Sequence, residues 1–119
     1  MTKPAVLIIE DSASLALGFA AQLEEAGYDV ALAATLAEAR EALATTRFSA
    51  ALLDLQLPDG DGLSLLEKRA DGSPAFVVIT ADGSLSRAIA AMRLGAFDFL
   101  VKPVAGTRLL ATIRAAVEQ

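Results

Sequence analysis

Five short apolar runs, at 4–9, about 28–33, 50–54, 75–79 and 97–101, are each followed by a longer segment whose apolar residues recur at helical spacing. Leu15, Phe19 and Leu23 follow the first run at i, i+4 and i+8. After the second, Thr35 and Glu38 read as a capping box ahead of Leu36 and Leu43. Leu63, Leu66 and Ala70 form a weaker stripe, Leu85, Ile89 and Met92 one that stops near Gly95, and Leu109, Ile113 and Val117 the last. The pattern predicts five strand–helix units. Phe76-Val77-Val78-Ile79 is apolar on both side-chain faces, which suits a parallel sheet covered by helices on both sides. Right-handed crossovers then gather every strand-to-helix loop at the carboxyl edge of that sheet, where ligands bind. The turn at 58–62 belongs to that edge and the turn at 70–74 to the opposite one.

The residues that open those loops carry the chemistry. Glu10 and Asp11 end the first run, Asp54 the third, Thr80 and Asp82 follow the fourth, and Lys102-Pro103 follows the fifth; the second ends in alanines. Three carboxylates converging on neighbouring strand ends repel one another unless a cation sits among them. Mg²⁺ accepts two or three carboxylates, a backbone carbonyl and water. Asp11, Asp54, the Gln56 carbonyl and, through water, Glu10 are the expected ligands, with Mn²⁺ a compatible substitute. Asp54 keeps an oxygen free to attack phosphorus. Thr80 can donate to the incoming phosphoryl group, and Lys102 can neutralise its other side. Taken singly, each of these residues reads as a turn, a cap or a solvated side chain, and their joint occurrence at four strand ends reverses that. Asp59, Asp61 and Asp71 lie in glycine-containing turns and read as structural.

Length and charge narrow the partners. A chain of 119 residues fits one domain over 1–119, with no linker or repeat to divide it, and no cysteine to staple it. Fifteen acidic against ten basic residues leave a net charge of −5, which disfavours direct nucleic-acid binding. The longest apolar runs are too short to span a membrane, and no secretion signal precedes the first strand, so a soluble cytoplasmic protein is expected. The chain has no histidine, so a phosphohistidine donor must be another molecule.

Four segments, Ile8-Ile9-Glu10-Asp11-Ser12, Leu53 to Gly62, Ile79-Thr80-Ala81 and Gly95 to Pro103, together resemble the response-regulator receiver domain of bacterial two-component signalling over essentially the whole chain. The resemblance implies a flavodoxin-like (βα)₅ three-layer α/β sandwich with parallel sheet order 2-1-3-4-5. It also implies phosphorylation of Asp54, Mg²⁺ held by the acidic pair, a switch through Thr80 and Phe99, and a cis bond before Pro103. Gln56 and Asp82 flank the route of the water that ends the phosphorylated state. Such a domain is a signalling phosphoacceptor rather than an enzyme acting on other substrates. Its expected partners are a sensor histidine kinase or histidine phosphotransfer protein in a phosphorelay, and a phosphorylation-dependent homodimer or output domain. The readout surface spans roughly 84–118, with Arg87, Arg93, Asp98 and Arg108 as polar contacts. Thr80 to Ser84 and Gly95 to Leu100 are closest to receivers of the nitrogen-regulation class of transcription activators, so a stand-alone receiver and a piece of a longer regulator both fit. A degenerate receiver serving only as an interaction module, and a Mg²⁺-dependent small-molecule phosphatase, are the competing readings.

Overall fold

A computed structural model describes residues 2–119. In chain order the elements are β1 (Ala5–Ile9), α1 (Ala13–Glu25), β2 (Asp29–Ala33), α2 (Leu36–Thr45), β3 (Ala50–Leu53), β4 (Gln56–Leu57) and β5 (Gly60–Asp61). There follow α3 (Leu63–Glu67), β6 (Ala75–Thr80), α4 (Leu85–Arg93), β7 (Asp98–Val101) and α5 (Gly106–Val117). All five apolar runs join one parallel sheet in the order β2-β1-β3-β6-β7, the flavodoxin-like 2-1-3-4-5 arrangement when its strands alone are counted. β4 and β5 form a separate two-residue antiparallel ladder across the turn at 58–59.

Alternation along each strand divides the core in two. Leu7, Ile9, Ala51, Leu53, Phe76 and Val78 face the side packed by Leu36 and Ala39 of α2, Leu63 and Leu66 of α3 and Ala91 of α4. Val6, Ile8, Leu52, Val77 and Ile79 face the side packed by Phe19 and Leu23 of α1 and Leu109 and Ile113 of α5. Continuous apolar runs are therefore what a two-sided sheet requires.

Three helical stripes differ from the pattern read along the chain. Leu15 is 40% exposed, and α1 buries Ala16, Phe19, Ala20 and Leu23 instead. Steps of four overshoot a 3.6-residue turn, so Leu15 lies about 80° around the helix from Leu23. The third helix ends at Glu67, which leaves Ala70 exposed in the following turn while Leu65 joins the buried set. In α4 the expected stripe faces solvent: Leu85, Ile89 and Met92 are 75%, 42% and 47% exposed, and Ala91 meets the core. Gly95 ends this helix with φ +94, a conformation that glycine adopts without a Cβ penalty.

At the start of α2 the N–H of Glu38 donates to Thr35 Oγ1 as the capping box expects, while Glu38 Oε1 accepts the N–H of Ala34, one residue before the N-cap, in place of that of Thr35. A second cap comes from a distance. Asp59 accepts the N–H groups of Leu36 at 2.8 Å and Ala37 at 3.1 Å, so the β4–β5 turn is tied to the amino end of α2. Among the described residues no helix is long and apolar enough to cross a membrane.

Ile113, which is fully buried, should lose about 2–5 kcal/mol of stability on substitution by alanine, whereas Met92→Ala should stay within about 0.5 kcal/mol in urea unfolding. The N–H of Leu36, with that of Ala37, holds the Asp59 carboxyl below its ordinary value of 3.8. The native state then binds fewer protons than the unfolded chain, so stability from Asp59 is present above that value and lost as pH falls through the depressed one. Asp59→Asn should accordingly be less stable than the wild type at neutral pH, with the gap closing on acidification in parallel melts.

Candidate functional site

Strand register levels the first two acids. Ile9 pairs with Leu53, and the N–H of Asp54 donates to the Ile9 carbonyl at 3.0 Å, so Glu10 and Asp54 leave β1 and β3 side by side. They are only 3% and 4% exposed, whereas Asp11 is open to solvent. One carboxylate oxygen from each of Glu10, Asp11 and Asp54 lies within 4.8 Å of the others. An all-oxygen set of this kind, with one exposed edge left for water, fits a hard divalent cation such as Mg²⁺.

Lys102 supplies the positive charge that meets these acids here. The pairing of Thr80 with Val101, and an N–H bond from Lys102 to the Thr80 carbonyl at 2.9 Å, bring the end of β7 to the same edge. The peptide between Lys102 and Pro103 is cis. Lys102 Nζ donates to Glu10 Oε1 and, at 2.9 Å, to Asp54 Oδ2. Burial pushes the Glu10 carboxyl above its ordinary value, and the bond from Lys102 opposes that only in part. Burial also works against the Lys102 ammonium, but its bonds to Glu10 and Asp54 outweigh this and raise its pKa.

The surrounding residues are less directly engaged. Asp54 Oδ1 accepts the N–H of Gln56 at 3.1 Å, while the Gln56 side chain is exposed. Thr80 is fully buried, and its Oγ1 accepts the N–H of Asp82 at 3.3 Å. Asp82 Oδ1 in turn accepts the N–H of Ser84 at 3.0 Å, which turns that carboxylate toward its own loop. Phe99 is half-buried against the α2–α4 side of the core.

Two acids read as plain turn residues do more than turn the chain. Asp59 caps α2, and Asp61 forms a two-pronged ion pair with Arg87, at 2.7 and 2.9 Å. Arg87 is therefore not the free surface contact expected of it. Its guanidinium holds the Asp61 carboxyl below the usual aspartate value. Arg93 is exposed, and Arg108 approaches Asp98 at 3.7 Å. Side-chain partners 26 residues apart leave no periodic signal in a sequence.

Residues 6–114 match the family model of the response regulator receiver domain. The chain belongs to that family. It is 41% identical over 106 residues to the response regulator protein PilR of Pseudomonas aeruginosa, a match covering 87% of this chain and 24% of PilR. Among solved structures, the signal receiver domain of a putative LuxO repressor from Vibrio parahaemolyticus superposes with a TM-score of 0.93 at 30% identity, covering 98% of this chain and 92% of that one. The beryllofluoride-activated NtrC4 receiver domain dimer gives 0.90 at 37% identity, with 96% of each chain covered. The receiver spans about a quarter of the length of curated relatives such as PilR and LuxO.

Membership makes the receiver a phosphoacceptor switch module of bacterial two-component signalling rather than a catalyst of reactions beyond its own phosphorylation and dephosphorylation. Its acidic triad is consistent with the Mg²⁺-binding site of such a domain. Saturating Mg²⁺ should raise the melting temperature, by about 2.7 kcal/mol of stabilisation at 100 times its Kd. Asp11→Asn, which removes the exposed carboxylate of the triad without disturbing the core, should abolish most of that shift in thermal melts.

Proposed function

We propose that Asp54 is the phosphorylated residue, and that the receiver takes its phosphoryl group from a phosphohistidine on a sensor histidine kinase or histidine phosphotransfer protein. The observation that carries this reading is the buried Asp54 carboxylate, level with Glu10 and hydrogen-bonded to Lys102 at the open edge of the sheet. An Asp54 oxygen attacks phosphorus, an O–P bond forms, and the P–N bond to the donor imidazole breaks with its electron pair left on nitrogen, which takes up a proton. The product is an acyl phosphate. Mg²⁺, when bound by Asp11, Asp54, the Gln56 carbonyl and, through water, Glu10, supplies charge neutralisation for the phosphoryl oxygens.

The protein's own groups do the rest. Lys102 is held within reach of Asp54 and transfers a hydrogen bond from the carboxylate to the phosphoryl group. Thr80 exchanges its bond with the Asp82 N–H for one donated to a phosphoryl oxygen, which draws the loop after β6 toward Asp54. Phe99, on the strand beside β6, repacks with it. Gln56 and Asp82 set how readily water reaches phosphorus in the return reaction. Output runs through α4, β7 and α5, where Leu85, Ile89, Met92 and Val101 leave apolar surface in solvent suited to a second copy or an output domain. The beryllofluoride-activated NtrC4 receiver domain dimer supports the homodimer. The 34% identity to the transcriptional regulatory proteins PmrA and FixJ supports a role in transcription regulation, with any nucleic-acid contact made outside this acidic domain.

A phosphatase acting on other substrates needs a general acid near the nucleophile, and the residue two positions beyond Asp54 is Gln56. Incubation with acetyl phosphate and Mg²⁺ should add one phosphoryl group by intact mass. The adduct should be absent without Mg²⁺ and from Asp54→Asn, with no turnover of simple phosphomonoesters. A wild type that gains no mass and does not respond to beryllofluoride would make the domain a phosphorylation-independent interaction module.

A further inference from the structure

The Asp61–Arg87 pair lies outside the acidic cluster but is joined to it through the backbone. Both guanidinium prongs are used, with Nη1 2.9 Å from Oδ2 and Nη2 2.7 Å from Oδ1. That fork geometry separates the stronger arginine–carboxylate pairs from casual surface contacts. Asp61 Oδ1 also accepts the N–H of Leu63 at 3.0 Å. Across the β4–β5 ladder Asp61 stands opposite Gln56, whose N–H donates to Asp54 Oδ1. The next residue, Gly62, packs so closely that a Cβ there would lie 2.5 Å from the Asp54 carbonyl oxygen. Asp61 thus cannot travel independently of Asp54.

Arg87 sits in the first turn of α4, an element with little else to hold it. Of the described residues of α4, Ala91 alone is buried, and the N-cap Ser84 makes no side-chain capping bond. At the far end Arg69 donates to the carbonyls of Leu94 and Gly95. One arginine therefore pins each end of a helix whose apolar face is in solvent. Arg87 follows the Asp82–Ser84 loop that is attached to the Thr80 hydroxyl.

We infer that the Arg87–Asp61 pair is a latch that holds α4 in its resting position against the phosphoacceptor loop, and that Arg87 is a positioning residue for the switch. This rests on the reading of Asp54 as phosphoacceptor. When Thr80 turns to the phosphoryl group, the loop at 81–84 and the first turn of α4 move with it, while Asp61 stays with Asp54. The fork then opens. An interaction made only in the resting arrangement stabilises it, so removal of the pair shifts the population toward the activated arrangement. The coupling is reciprocal: a partner that captures the Leu85–Ile89–Met92 face and draws α4 off Asp61 raises the affinity of the site for a phosphoryl group by the same factor.

Beryllofluoride with Mg²⁺, titrated against amide chemical shifts, tests this. Arg87→Gln should bind about two- to fivefold more tightly than the wild type, the range for an exposed ion pair of good geometry. Arg87→Lys, which keeps the charge without the fork, should fall between. Amide shifts of unligated Arg87→Gln in α4 should move along the line toward the activated wild type, which loss of a merely structural contact would not produce. Asp61→Asn, which still accepts from Leu63, should match Arg87→Gln, and the double variant should gain nothing further. Equal or weaker binding by Arg87→Gln, or effects that simply add, would overturn the latch alone. A wild type that does not bind would overturn the phosphoacceptor reading and the latch with it.

Discussion

Two carboxylates buried side by side, with one ammonium between them, are the constraint on which this molecule is built. Glu10 and Asp54 would repel each other and forfeit hydration if they stood alone in the position that strand register gives them. Lys102, arriving from the far end of the chain, compensates both. The consequence is a site whose two buried acids are already matched by one cation, the arrangement that the proposed Mg²⁺ and phosphoryl chemistry would draw on. The carboxyl ends of β1, β3 and β7 share one edge of the sheet, β1 and β3 ending level and β7 running two residues further, which is what lets Lys102 reach back to both acids.

The sheet and the site residues were legible because both are written in short-range patterns. Apolar runs of four to six residues that lead into Glu10-Asp11, Asp54 or Thr80 mark strand and candidate site together, since the end of each strand lies at the ligand edge. The direction faced by α4 was not legible. Leu85, Ile89 and Met92 have the spacing of a core stripe, yet alanine at 91 lets the helix lie close to the sheet by its small side and leaves the larger side chains outside. A periodic stripe identifies a helix face without saying what covers it. The tethers by Asp59 and Asp61 were also invisible, since a capping bond between residues 23 apart depends on tertiary approach and not on spacing.

The β4–β5 turn is consequently more than a connection. Asp59 fastens it to α2, Asp61 to α4, and Gly62, whose N–H donates to the Leu55 carbonyl, to the backbone next to Asp54. Three neighbouring residues thereby link two helices to the residue at the centre of the chemistry. A turn tied at several points and a helix that buries Ala91 alone among its described residues are complementary, since a switch needs one part that stays fixed and one that can move.

The division of the core by alternation has a consequence for quality control in folding. Odd and even residues of β1 belong to different apolar layers, so a slip of one residue between β1 and β3 would turn Leu52 and Leu53 to each other's side. The same slip would carry Asp54 about 3.3 Å out of step with Glu10. A molecule in the wrong register would have neither its layers filled nor its acids aligned, and cation affinity thus reports directly on whether the central strands have been zipped correctly.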